Sequence, residues 1–241
     1  MTKMIIAAAA LAVAGSAQAA VTGVIWRPVA NAPAQGSPNF PGQAGNTIYT
    51  FDLILQGDAG QRINGINMGD SAFPNAAPYA LYTNGAVANH QLGGNVRSTA
   101  FEGFFPDIAF DTFVALGSDA PGPAISFAGG TNLSGVGGVL RATWFTTDNA
   151  TLDASGEMRI MRVSVGYVSS FDPFAKGSGA FLGTLGIGGL EVGSPESSIQ
   201  VGLPGGVLTD LVVGNAFQEV PAPGAAALMG LAGLAGLRRR R

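Results

Sequence analysis

The chain has 241 residues, of which 47% are hydrophobic and only 11% charged, less than half the usual charged share of about 25%. That composition excludes wholesale disorder, and the absence of cysteine removes disulfides, thiolate metal sites and cysteine nucleophiles together. The formal charge of −3 includes Lys3 and Arg238 to Arg241; without those five bases, seven bases face fifteen acids, and a net −8 repels phosphate backbones and argues against a nucleic-acid partner.

The chain opens as a secretory signal. Lys3 is the positive n-region, and Ile5 to Gly15 is an apolar stretch of eleven residues, within the ~7–15 expected of an h-region. Ala17-Gln18-Ala19 supplies the small-x-small pattern that predicts cleavage before Ala20. Eleven apolar residues rise only about 16 Å as a helix, too little for a hydrocarbon core of ~30 Å.

After the signal, 37 glycines and 14 prolines predict many turns and few long helices. Asn31 to Asn46 reads as a surface loop or linker. In Thr47 to Gln56, Tyr49, Phe51, Leu53 and Leu55 share one face while Thr50 and Asp52 lie on the other, the period-two pattern of a half-buried strand. Asn64-Gly65 is a turn signal, and Met68 to Gly94, with Pro74 and Pro78, reads as a second loop region. The lone histidine, His90, falls in that loop and is expected to be exposed.

Ile108 to Leu116 has the composition of a strand. Val139 to Thr147 places Leu140, Ala142 and Trp144 on one face and Arg141 and Thr143 opposite. Glu157 to Tyr167 is rich in β-formers with apolar residues on both faces, which suggests a central strand. Leu208 to Val213 is a last strand. Turn signals punctuate them at Asn84-Gly85, Asp119 to Pro123, Gly129-Gly130, Ser155-Gly156 and Pro204-Gly205. Many short strands so punctuated predict an all-β passenger, an antiparallel sandwich or barrel spanning 20–215.

The chain ends on a tripartite tail, 216–241. Val220-Pro221-Ala222-Pro223 precedes an apolar stretch from Gly224 to Leu237, and Arg238-Arg239-Arg240-Arg241 closes the sequence. The prolines start a helix sharply, and four arginines stop transfer and stay on the cytoplasmic side. A stretch of about 21 Å is thin for a permanent span and suits a transient one.

This tail resembles the PEP-CTERM sorting signal of Gram-negative bacteria, in which a Pro-Glu-Pro-like motif, a weak transmembrane helix and a terminal arginine cluster follow in that order. The same tail is also catalogued as an ice-binding protein C-terminal motif. The resemblance covers Val220 to Arg241, with one departure: Ala222 stands where the family has glutamate. It implies recognition by an exosortase-like processing enzyme after signal peptidase, and delivery to the cell surface or extracellular matrix. Phe110 to Val114, Trp144-Phe145 and Arg159 to Val165 are also similar to stretches of β-rich bacterial surface proteins of no established activity.

Residues able to carry chemistry are few. With one histidine and no cysteine, a zinc site with several such ligands cannot be assembled in one chain, and no G-x-S-x-G elbow presents a serine to His90. The glycine run at Gly186 to Gly189 reads as bulges or turns rather than a nucleotide loop. Glu102, Asp107 and Asp111 lie close together among Phe101, Phe104, Phe105 and Phe110, where a two-carboxylate hydrolase could be imagined, but no spacing rule selects a pair. Calcium suits the oxygen donors Asp58, Asn64, Asn67 and Asp70, and again Asp148, Asn149, Asp153 and Glu157. Neither set follows the EF-hand order, and Asx-turns account for both without a metal; no catalytic residue, metal site or cofactor is assigned.

The expectation is therefore an exported, non-enzymatic envelope or matrix protein of structural or interaction type, anchored by its C-terminal helix before processing. The alternative is a module that binds extracellular polysaccharide or a partner, which exposed tryptophans at Trp26 or Trp144 would favour. Ice binding would call for a regular threonine array, which the sequence lacks. A secreted hydrolase is the least favoured.

Overall fold

A computed structural model describes residues 20–29, 38–72, 79–82, 86–117, 124–135, 139–168 and 197–213. These build twelve strands: β1 (Val21–Pro28), β2 (Asn46–Gly57), β3 (Arg62–Asn67), β4 (Leu81–Tyr82), β5 (Ala86–Val87), β6 (Phe113–Val114), β7 (Ser126–Phe127), β8 (Val139–Leu140), β9 (Thr143–Thr151), β10 (Glu157–Val168), β11 (Ser198–Gly202) and β12 (Leu208–Val212). One five-stranded sheet runs β1-β2-β10-β5, with β6 also paired to β10; a second runs β12-β11-β3-β9-β7; β4 and β8 form a small ribbon. All of these strand pairs are antiparallel. The expected all-β class with antiparallel sheets is therefore observed.

The alternation read in β2 holds residue by residue. Phe51, Leu53 and Leu55 are 1%, 0% and 0% exposed in the main core, with Tyr49 packed against it. The opposite face is also covered, because Ile48 joins a smaller cluster with Phe40 and Ala88. Leu140, Ala142 and Trp144 are likewise buried together.

β10 is central, as its sequence suggests, but for a different reason. Its register against β2 slips between Arg159 and Met161, and an extra residue in one strand shifts the alternation by one. Met158 before the slip, Ile160 at it, and Met161, Val163 and Val165 after it all reach the main core. Arg159, Arg162 and Ser164 are left on the other face.

Both sheets contribute to one core. Trp26 packs edge-on to Phe51, with ring centroids 6.4 Å apart, while Ile63, Ile66, Trp144, Ile199 and Val201 enter from the second sheet. Trp144 also bridges the sheets: its Nε1–H donates to the carbonyl of Ala115, just past β6, at 3.0 Å.

Three expectations are corrected. Ile108 to Leu116 is not one strand: Pro106–Phe110 is a 3-10 helix, with proline at its first turn, and only Phe113–Val114 is extended. Asn64-Gly65 is no turn; it lies inside β3, where register slips between Ile63 and Gly65. Glycine is required there because a Cβ would sit 2.7 Å from the Trp144 carbonyl oxygen. The stretch from Met68 to Gly94 is not a plain loop, since it contains β4 and β5 and buries Met68, Ala80, Leu81 and Ala88. Within Asn31 to Asn46, residues 38–45 form turns held down by Phe40, which is 1% exposed. The Pro204-Gly205 turn does join a hairpin, β11 to β12. Among the described residues no helix is long and apolar enough to cross a membrane.

Candidate functional site

Among the described residues, several buried polar side chains, Thr50, Arg159, Arg162 and Ser164, lie on the face of the first sheet that is turned away from the main core. Cross-strand register places Asp52 of β2 opposite Arg162 of β10. Their side chains form a two-pronged pair, Nε and Nη2 to the two carboxylate oxygens at 2.7 Å each. Arg159 Nη1 approaches the same carboxylate at 3.5 Å. Both guanidiniums lie over the ring of Phe113, 5.5 and 5.6 Å from its centroid, a favourable place for cations. Arg162 also donates to the Ala109 carbonyl.

One register step along, Thr50 and Ser164 share a hydrogen bond of 2.6 Å. The Thr112 hydroxyl accepts from the Ser164 amide and donates to the Ala88 carbonyl. The loop layer 88–114 is thus stitched to the sheet through polar groups.

His90 lies within that layer, and the expectation of an exposed histidine is overturned: it is 4% exposed, flanked by Phe40 and Phe105. Its Nδ1 accepts the Leu92 amide at 3.1 Å. In the neutral ring the proton therefore sits on Nε2, 3.4 Å from Asp107 Oδ1. Asn39 donates to the other Asp107 oxygen at 2.8 Å.

Asp111 is buried and accepts the amides of His90 and Gly94 at 2.8 and 3.0 Å. Burial pushes its carboxyl up to about 6, against the lowering pull of the His90, Gly94 and Thr112 amides. Beside it a cleft of about 210 Å³ is lined by Asn89, Asn95, Thr112 and Ser134, among others.

That raised value fixes a sign. Between its ordinary value of 3.8 and about 6, folded Asp111 holds a proton that the unfolded chain has released. Stability contributed by this group is present below that window and falls as pH rises through it, by up to about 3 kcal/mol, with a plateau above. Denaturant unfolding at pH 4, 5, 6 and 7 should show this extra slope in the wild type and not in Asp111→Asn. Parallel slopes in the two proteins would refute the assignment.

The three carboxylates grouped in the sequence have separate partners. Glu102 is held by Arg97 in a two-pronged pair at 2.6 and 2.8 Å, Asp107 faces His90 and Asn39, and Asp111 faces backbone amides. The calcium candidates are engaged in similar local contacts. Asn67 accepts from the Gly69 amide and the Thr143 hydroxyl, and Asp70 from the amides of Ala72 and Gly130. Asp148 takes the Ala124 amide, and Asp153 takes the Ser155 hydroxyl and the amides of Ser155 and Glu157. The Ser155 hydroxyl leads in holding the Asp153 carboxyl below its usual range. Glu157 grips Arg27 with both oxygens, and Asp58 takes the Ala20 amide. Among the described residues no group of three or more His, Asp or Glu is arranged to hold a metal.

A second cleft, of about 250 Å³, opens between Arg27, Asp52, Asp153, Glu157 and Arg159. Reading the sequence could not find it, because it depends on β1, β2 and β10 lying side by side.

No protein-family model, curated protein or solved structure matches the chain. Of the sorting and processing residues, Ala20 is described; Ala17, Ala19, Val220, Pro221, Ala222, Pro223 and Arg238 to Arg241 lie outside the described residues, as do Asn84-Gly85 and Gly186 to Gly189.

Proposed function

We propose that this is an exported cell-envelope or extracellular-matrix protein of structural or interaction type, with 20–215 as an antiparallel β-sandwich passenger and 216–241 as its sorting signal. The observation that carries the reading is the order of the tail, Pro-Ala-Pro then an apolar stretch then four arginines, paired with a signal-like N-terminus. Among the described residues Asp52 pairs with Arg162, Glu157 with Arg27 and Glu102 with Arg97, an arrangement that suits a scaffold more than a catalyst.

The second reading is a module for polysaccharide or a partner surface. Tryptophan platforms do not support it, since Trp26 and Trp144 are 4% and 0% exposed. What favours it is a different pair of aromatics, Phe101 at the end of the 3-10 helix Thr99–Phe101 and Phe104 on the turn that follows, exposed by 44% and 82%. Aromatic side chains are enriched where proteins contact their partners.

Intact-mass measurement on protein recovered from the native cell surface and medium tests the sorting reading. The wild type should begin at Ala20 and end near Pro223, and deletion of Arg238 to Arg241 should change its processing or retention. A wild-type protein that keeps Arg241 in the membrane would replace sorting with simple anchoring.

A further inference from the structure

The entry to β1 carries a contact that pairing with β2 does not require. The Ala20 backbone nitrogen donates to Asp58 Oδ2 at 2.8 Å, and the Ala20 carbonyl accepts the Asp58 amide at 3.1 Å. Asp58 follows the end of β2 in a turn closed by the Gln61 amide on its carbonyl, so its carboxylate is presented from a fixed backbone. Close approach depends on Gly57, where a Cβ would stand 2.6 Å from the Ala20 carbonyl oxygen.

We propose that Asp58 is the receiving group for the α-ammonium freed at Ala20 by signal cleavage, an ion pair that exists only in the processed protein. The inference rests on the reading that cleavage falls between Ala19 and Ala20. In the precursor this nitrogen is a neutral amide with one hydrogen. Hydrolysis breaks the Ala19–Ala20 amide bond: the water oxygen completes the carboxylate of Ala19, and both water hydrogens end on the Ala20 nitrogen. One neutral donor becomes three charged ones beside a carboxylate already in place, and charge-assisted hydrogen bonds are roughly twice as strong as neutral ones.

The neighbouring acids are engaged elsewhere. Asp153, on the turn between β9 and β10, serves Ser155 and the Glu157 amide, and Glu157 serves Arg27. Asp210 of β12 accepts from Gln200 and Tyr79. The pair at Asp58 is exposed, and exposed pairs are weak, so the α-amine should titrate only slightly above its ordinary ~7.7–8.0.

The test uses full-length wild type, Asp58→Asn and Asp58→Glu, each expressed in a host that processes it. The mature proteins, uniformly labelled with 13C and 15N, are sequenced from the N-terminus, and the α-amine is titrated by NMR through the Ala20 Cα and Cβ shifts. Support is an Ala20 start in all three, an N-terminal pKa raised in the wild type, lowered toward 7.7–8.0 in Asp58→Asn and recovered at least in part in Asp58→Glu. An Ala20 start with the same pKa in wild type and Asp58→Asn overturns the ion pair while leaving the cleavage reading standing. A start elsewhere overturns the cleavage reading, and the ion pair with it.

Discussion

Replacing Asp52 with alanine should destabilise the folded chain by about 3–5 kcal/mol, the usual cost of removing one partner from a buried charge pair. The carboxylate is shared by Arg162, at 2.7 Å, and Arg159, at 3.5 Å, and all three side chains are at most 14% exposed. Alanine leaves two guanidiniums side by side over Phe113 with their shared counter-charge gone. Much of the loss comes from those stranded charges, not from a strong net contribution of the pair. The double variant Asp52→Leu with Arg162→Met should therefore recover a good part of it. Urea unfolding monitored by far-UV circular dichroism measures both, and a loss below about 1 kcal/mol in the single variant would mean that water reaches this pair freely.

The second large effect lies on the other side of the first sheet. Trp144→Ala should cost about 3–5 kcal/mol, as truncation of a fully buried aromatic does. Trp144→Phe separates the two roles of the indole. It keeps most of the apolar contact but leaves the Ala115 carbonyl without its Nε1–H donor, and a loss of about 1–3 kcal/mol is expected. Equilibrium unfolding followed by fluorescence of the remaining Trp26 gives both numbers. An unchanged midpoint for Trp144→Ala would remove Trp144 from the core.

These two sites differ in how far the sequence announces them. Trp144 was legible because Leu140, Ala142 and Trp144 repeat at period two, and a strand with that repeat has one face to bury. The β2 face from Tyr49 to Leu55 was legible for the same reason. Asp52 with Arg162 was not, since the partners are 110 residues apart and nothing local marks either as paired. His90 was hidden in the same way: the ring against it, Phe40, comes fifty positions earlier, and the residues beside His90 are polar. Gly65 misled because glycine serves both turns and close approaches, and only the strand carrying Trp144 distinguishes them. In β10 the apolar residues on both sides of the pattern pointed correctly to a central strand, while the register slip that produces them leaves no mark in composition. Ile108 to Leu116 misled because a proline-led 3-10 helix and a strand can share the same apolar content. The clefts near Asp111 and Arg159 belong to the assembled sheet and its covering loops, so no stretch of sequence contains them.

The pairing of β2 with β10 also governs when this body can exist at all. β2 is complete by Gly57, but its partner ends at Val168, so closing the central pair means bringing together stretches of chain about a hundred residues apart. Such distant pairings form late and slowly, because the entropy of closing the loop is lost before the contacts repay it. A chain emerging N-terminus first carries β1 and β2 as an unlocked hairpin until more than two-thirds of it has appeared. Through that interval β2 lacks its central partner, and the first sheet can close only once β10 has been made.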